Sequence, residues 1–509
     1  MVDTDSQGGP RRGRVSRRKF VKAAGAAGAT AALAGCSGGG GGDGGSGDGG
    51  GDGGDGGTSG DGGGGGTTTV EWGFDPNAAS NAGEDIKQAF YDAGLSKDIE
   101  IEFVPGNADT GARRDNYNTL LNAGEKNPDM FLMDNGWVNI FIARQQLANL
   151  SDVLSSETLS TIEDTYFSGF TATAREPGSG NLYGSPFFPD FPTMQYRKDW
   201  VESAGYSPES DNWATEAMTW QEFSEITAQV KEEQGAEFGY TFQFDIYEGL
   251  SCCDFNEFMS TWGGAYFGGR ENLFGPVGDR PITVDEEPVK QAIRMVRTFI
   301  HGSSDEEALD GYAGQIAPSD VLSWTEEPSR KPMLNGKAVM HRNWPYALNL
   351  NGAEDALGEN YGAMPIPYAV TESESNYEGI GGTMSALGGW HMTANPNSDQ
   401  LEAVGEIIDT HVNNDQLQLD LLEIWGWVPP KPELFSSSRA QEVQPIGRYM
   451  DTLRVAGENA IARPVTVAWS AQSSAIASEV NAASSQKKSP DQAMSDLKSQ
   501  LQQIEDEAS

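Results

Sequence analysis

Basic residues are scarce: the 509-residue chain has 34 Lys and Arg against 75 Asp and Glu, a formal charge of −41. A nucleic-acid binder needs a basic face, so the balance argues against that class and against a resident of anionic membrane surfaces. Phosphorylated or carboxylate-rich ligands are disfavoured unless a local arginine cluster overrides the field, and Arg113-Arg114 and Arg342 are the few candidates. Cysteine is nearly absent, with three in the chain. Apart from Cys36, the thiols are the adjacent Cys252-Cys253, which cannot staple distant segments; a vicinal disulfide is open, two buried or capped thiols preferred. The four histidines, His301, His341, His391 and His411, have no metal-ligand spacing and are expected to satisfy local hydrogen bonds. No Gly-x-Ser-x-Gly, phosphate loop or Cys-His constellation occurs, so no catalytic residue, cofactor or metal is expected. Long apolar runs are missing too: Ala23–Ala34 is about a dozen residues, too short to cross a bilayer.

What is present begins with an address. Ser16-Arg17-Arg18-Lys19-Phe20-Val21-Lys22 is a twin-arginine export signal, and Leu33-Ala34-Gly35-Cys36 reads as a lipobox, with cleavage before Cys36 leaving its thiol to carry a lipid. Seven basic and two acidic residues fall within 1–35, so the mature chain is five charges more negative than the whole. From Ser37 to Gly66 there are 21 glycines, five aspartates and four Ser or Thr. Such a segment buries nothing and is expected to act as a flexible tether of roughly 30 Å. Most of the chain's glycine excess belongs to it.

The remainder alternates strand and helix signals. Val70, Trp72 and Phe74 mark a half-buried strand, as do Ile99, Ile101 and Phe103. Between them Ile86 and Phe90 have helical spacing and Gly94 is a stop. A helix carrying Tyr117, Leu120 and Leu121 precedes a buried strand at Pro128–Met133. This is the opening of a doubly wound α/β sheet, whose ligands sit beyond the carboxyl ends of the strands, here Asp75–Ser80 and Asp134–Trp137. Thr219-Trp220-Gln221-Glu222 is a capping box opening a further helix, and Leu401, Val404 and Ile408 lie on another.

In this order, several short strings resemble family 1 extracellular solute-binding proteins, the sugar-type receptors of ABC importers. They are Pro128-Asp129-Met130-Phe131 with Leu147-Ala148-Asn149-Leu150, Gln195-Tyr196-Arg197-Lys198-Asp199-Trp200 with Ala204-Gly205, and Thr219-Trp220-Gln221-Glu222-Phe223. Trp262-Gly263-Gly264, Asn335-Gly336-Lys337-Ala338-Val339-Met340, Tyr361-Gly362-Ala363-Met364-Pro365 and Trp427-Val428-Pro429-Pro430-Lys431 follow. The resemblance covers nearly all of 70–505. It implies an α/β, two-lobe periplasmic-binding-protein-like fold (type II) whose lobes close on a ligand. Crossings are expected near Pro186–Thr193, Pro365–Tyr368 and Val428–Pro432. One lobe then combines 67–188 with 367–428, the other 189–366 with 429–509, behind the signal 1–35 and the tether 36–66. Permease subunits and an ATPase are implied as partners, with a lipid anchor at Cys36, a monomeric state and an extracellular location. The acidic folded part suggests a halophilic, archaeal source.

A sugar needs flat aromatic faces and planar hydrogen-bonding groups. On the resemblance, Trp344 and Trp469 match stacking positions. Asp134, Asn135 and Trp137 follow the third strand and Asp75 the first. Asp245 and Tyr247 form a polar-aromatic pair from the other lobe, Trp390 stands in Gly388-Gly389-Trp390-His391, Trp425 and Trp427 lie just before the third crossing, and Asp190 sits within the first. Trp200, Trp220 and Trp262 are expected in the core. The competing readings are a surface-tethered glycan-processing enzyme, since paired carboxylates are abundant, and the same receptor with a polyol, phosphorylated polyol or peptide ligand.

Overall fold

The computed structural model describes residues 67–108 and 110–509; the expected export signal, lipidated Cys36 and tether lie outside the described residues. Strand β1 (Thr68–Phe74) buries Val70, Trp72 and Phe74 as their alternation requires. The helix Pro76–Asp92 follows at once, because Asp75 stays extended and its Oδ1 accepts the Asn77 and Ala78 N–H groups, each at 2.9 Å. Pro76 occupies the first turn, where its missing N–H costs nothing. β2 (Ile99–Pro105) and β3 (Met130–Asp134) then flank β1 in parallel.

β4 (Gly184–Asp190) runs through Phe191-Pro192 into β5 (Thr193–Arg197), carrying the chain from one sheet into the other. β6 (Phe238–Thr241), β7 (Ala338–Asn343) and β8 (Tyr361–Met364) complete a four-stranded sheet ordered β6-β7-β5-β8. After β9 (Ser385–Ala386), β10 (Gly388–Ala394) returns antiparallel between β3 and β4, giving the first sheet the order β2-β1-β3-β10-β4. β11 (Ala460–Ile461) pairs with β9 beside the crossings. Each sheet has its own core. Trp72 packs edge-on to Phe74 and Phe90 in the first, at 4.8 and 6.0 Å. In the second, Trp220 meets Phe223 and Phe258 and donates its indole N–H to Thr261 Oγ1 at 3.0 Å. Thr219 caps the helix Trp220–Gln234 by accepting from the Glu222 N–H.

The expected return at 367 comes too early. Tyr368 N–H donates to Met218 C=O, and Ala369 and Val370 both donate to Thr261 C=O, so this segment stays bonded to the second lobe. The chain returns only near Ser385–Gly388. The prolines at 365 and 367 read as a crossing because they suit any extended run, including one that continues along the same lobe.

Arginines occupy the interior. Arg280 pairs with Glu505 at 2.7 Å, Arg297 with Asp305 at 2.6 Å, and Arg342 with Glu257 at 2.7 Å. Every one of these side chains is almost wholly buried, and the geometry is bidentate for Arg297 and Arg342. Such pairs offset the cost of burying charge only when both partners are present.

Two local expectations are corrected. Cys252 and Cys253 are joined as a vicinal disulfide inside a short π-helical turn, Leu250–Asp254, and are not separate thiols. His341 and His391 do find partners, Thr241 with Asn343 and Thr173 respectively, but both ring nitrogens of His411 are buried without one. His411 lies between the Phe90 and Phe187 rings, at 6.5 and 4.9 Å, and behaves as a small aromatic. Burial pulls all three imidazoles down to about 3, so they are neutral.

Candidate functional site

A cavity of about 280 Å³ opens where the two lobes face one another. The first lobe supplies Asp75 and Asn77 from the end of β1, Phe188 from β4, Trp390 from β10 and the Trp425-Gly426-Trp427 turn. The second supplies Pro345, Tyr346 and Asn349 from the helix Pro345–Asn351. Asp190 sits at the last position of β4, just before the crossing. A larger hollow of about 560 Å³ over Thr371–Glu378 is open to solvent and has a single aromatic, Tyr377, so it lacks the paired walls of a ligand site.

Local sequence explains how the aromatic wall is set. The helix Asp415–Trp425 ends at Gly426, whose φ of 85° is the left-handed conformation that glycine adopts without strain. A Cβ there would come within 2.6 Å of Asn349 Nδ2, so the turn also lets the lobes approach closely. Beyond it Trp427 stacks on Phe188, ring centroids 4.8 Å apart and planes 12° apart. Trp390 is held from behind by Trp137, edge-on at 5.4 Å, and from its face by the Arg113 guanidinium at 5.0 Å.

Asp75 does two jobs: while Oδ1 caps its helix, Oδ2 accepts from Arg113 Nη2 at 3.0 Å. Asp190 has no such partner. Burial, then the nearby Asp134 charge, pushes its carboxyl up to about 7, with Arg342 opposing. Asp134 is also raised, by burial, against the pull of Arg463 and the Gly136 N–H.

Beside the cavity a second polar cluster joins the lobes. Arg463, which follows β11, donates from Nη1 to Glu248 Oε1 at 3.1 Å and from Nη2 to Asn135 Oδ1 at 3.2 Å, with Asp134 Oδ1 3.5 Å away. Glu248 belongs to the second lobe; Asp134 and Asn135 end β3 in the first. Gly136 makes room, because a Cβ there would meet Arg463 Nη1 at 2.6 Å.

Of the residues expected to hold ligand, Asp75, Asp190, Trp390, Trp425 and Trp427 line the cavity. Trp344 stands close by, its ring edge against the Gly388 backbone and Arg342 5.0 Å from its face. Asp134 lies in the adjoining cluster. The others are placed differently. Asn135 is fully buried, and its Nδ2 donates to Leu387 C=O. Trp137 is 4% exposed and buttresses Trp390. Trp469 is 2% exposed and donates its indole N–H to Glu248 at 3.2 Å, its ring given to the second core. A helix-starting tryptophan reads alike in sequence whether it faces a core or a cleft. Tyr247 donates to Glu326 Oε1 at 2.8 Å, and Asp245 accepts the Ile246 N–H, both outside the cavity wall. Asn77 falls within the expected loop Asp75–Ser80, whereas Phe188, Tyr346 and Asn349 were not anticipated; Tyr346, two residues after Trp344, had a signal beside it. Among the described residues no group of three or more potential ligands could hold a metal ion.

This arrangement, two α/β lobes around an aromatic and carboxylate-lined cleft, is that of a solute receptor. A family model for the bacterial extracellular solute-binding proteins matches residues 77–416, and the chain belongs to that family. A probable ABC transporter-binding protein of Deinococcus radiodurans is 26% identical over 411 residues, covering 80% of this chain and 86% of that protein. Among solved structures, maltose-bound T. maritima MalE3 aligns with a TM-score of 0.66 at 22% identity, over 85% of this chain and 99% of its own. UgpB from Mycobacterium tuberculosis, in complex with glycerophosphocholine, aligns with a TM-score of 0.63 at 17% identity, over 87% and 99%. At these identities the structural likeness establishes the two-lobed fold, and the family match places the protein among the extracellular solute-binding proteins.

Proposed function

We propose that the protein captures a sugar or short oligosaccharide between its lobes and delivers it to the permease subunits and ATPase of an ABC importer. The observation that carries this reading is the cavity itself: tryptophan faces and carboxylates on one lobe, and a tyrosine with an asparagine on the other. Apolar sugar faces stack on the first, and hydroxyls bond to the carboxylates and amides. Its 280 Å³ is just under the roughly 300–1,000 Å³ of typical small-molecule sites, which suits one sugar ring held deeply.

On this reading the lobes divide at the crossings, with the first comprising 67–188 and about 388–428. The twin-arginine signal and Cys36 would export the chain and anchor it by lipid to the outer face of the membrane, as a monomer. The surplus of acids would keep its surface hydrated in high salt. Ligand-induced thermal stabilisation, screened over neutral mono- and disaccharides and followed by mass spectrometry of copurified ligand, tests the assignment. Stabilisation without turnover is the expected result. Release of products from an oligosaccharide would instead make it a glycan-processing enzyme.

A further inference from the structure

Charge around the cavity is unbalanced. No lysine, arginine or histidine lines it. The nearby cations are already matched: Arg113 by Asp75, Arg342 by Glu257 and Asp254, and Arg463 by Glu248 and Asp134. Asp190 is left over. Among the described residues none donates a hydrogen bond to its carboxylate, and it lies at the join between the two sheets with Trp390, Trp425 and Trp427 in the same wall. A neutral hydroxyl would satisfy a lone pair of half-buried Asp190 but not its charge, and a partly desolvated, uncompensated charge is costly. An ammonium group would satisfy both, and indole faces favour cations further. A phosphate or carboxylate on the ligand would add to the imbalance.

We propose that this cavity takes a carbohydrate bearing one cationic amine, with the Asp190 carboxylate as the counter-ion of the ammonium. The proposal rests on the reading of the cleft as a carbohydrate site. Asp190 ends the crossing strand, so a ligand fixed to it is held at the point about which the lobes move. The same charge pattern sets specificity against phosphorylated sugars, since among the described residues no arginine or lysine lines the cavity to meet a phosphate.

Calorimetric titration of the full chain at pH 7.5 tests the proposal. The probes are glucose, galactose, their 6-amino-6-deoxy forms and their 6-phosphates, which vary the charge at one carbon, with maltose as a larger neutral sugar. The expected result is that an amino sugar binds at least tenfold more tightly than its neutral parent, that the phosphates do not bind, and that Asp190→Asn reduces the amino-to-neutral affinity ratio at least fivefold. Equal or tighter binding of the neutral sugars overturns the cationic assignment and leaves the sugar receptor standing. Binding of none of the probes, amino or neutral, overturns both. The wild-type ratio decides the matter even where Asp190→Asn fails to fold.

Discussion

Replacing Arg463 by methionine tests whether its cluster holds the lobes together. The change keeps most of the side-chain volume and removes the charge, leaving Asp134 and Glu248 without their shared cation. Breaking a fully buried pair costs about 3–5 kcal/mol. Here the cost is smaller: Arg463 is 8% exposed, but Asp134 is 19% and Glu248 43% exposed, so both acids can regain water. Charge-assisted hydrogen bonds of this kind contribute about 1.5–3 kcal/mol. Because Glu248 is on one lobe and Asn135 and Asp134 are on the other, that loss falls on lobe closure more than on either core. It corresponds to roughly a 10- to 150-fold shift toward the open form. Small-angle scattering of the unliganded protein should show a larger radius of gyration for the variant, with the denaturation midpoint of each lobe little changed. A scattering curve identical to that of the wild type, with unchanged ligand affinity, would refute the reasoning.

Trp427→Ala removes the ring stacked on Phe188 and should weaken sugar binding by about 1–3 kcal/mol, measured by calorimetry, while the circular dichroism spectrum is retained. Glu257→Gln removes one of the two carboxylates paired with Arg342, leaving Asp254 at 3.2 Å, and should destabilise the second lobe by about 1.5–3 kcal/mol in chemical denaturation; a loss under about 1 kcal/mol would mean the Glu257 contact is dispensable. His411→Phe removes two unpartnered nitrogens from an aromatic site and should leave stability at pH 7 equal or higher. Its folded-state pKa lies below the unfolded value, so the wild-type histidine contributes stability that is lost as pH falls from about 6.5 to about 3. The variant should therefore unfold at a lower pH in an acid titration. Asp190 has the opposite sign: its folded pKa is raised, so stability declines as pH rises from about 4 to about 7, and Asp190→Asn should flatten that slope.

The first two strands were legible because they bury alternate residues, as Val70, Trp72 and Phe74 do, and the third because Met130–Met133 is one short, wholly buried apolar run. The capping residues Asp75 and Thr219 were legible for a similar reason, since the side chain acts on its own next turn. What failed were features decided by distant partners. Segment 368–383 is polar and follows two prolines, and its distant hydrogen bonds, among them those to Met218, Thr261 and Glu286, assign it to the second lobe. Trp469 and Trp427 both border predicted elements and both are largely buried, yet only Trp427, just past the Gly426 turn, also reaches the cavity wall. Arg463 has no periodicity or motif around it, and its importance exists only where β3 ends beside Glu248.

The buried arginine pairs have a consequence for how the molecule meets salt. Arg280, Arg297 and Arg342, whose acidic partners are buried with them, each withdraw a cation from the solvent face, so the outer shell is poorer in positive charge than the composition states. Ions in solution screen exposed charges within about 10 Å at 0.1 M but reach buried pairs much less. Rising ionic strength therefore relieves repulsion across the acidic exterior while the internal pairs keep their strength. Two electrostatic systems coexist in one chain, one answering to the medium and one insulated from it.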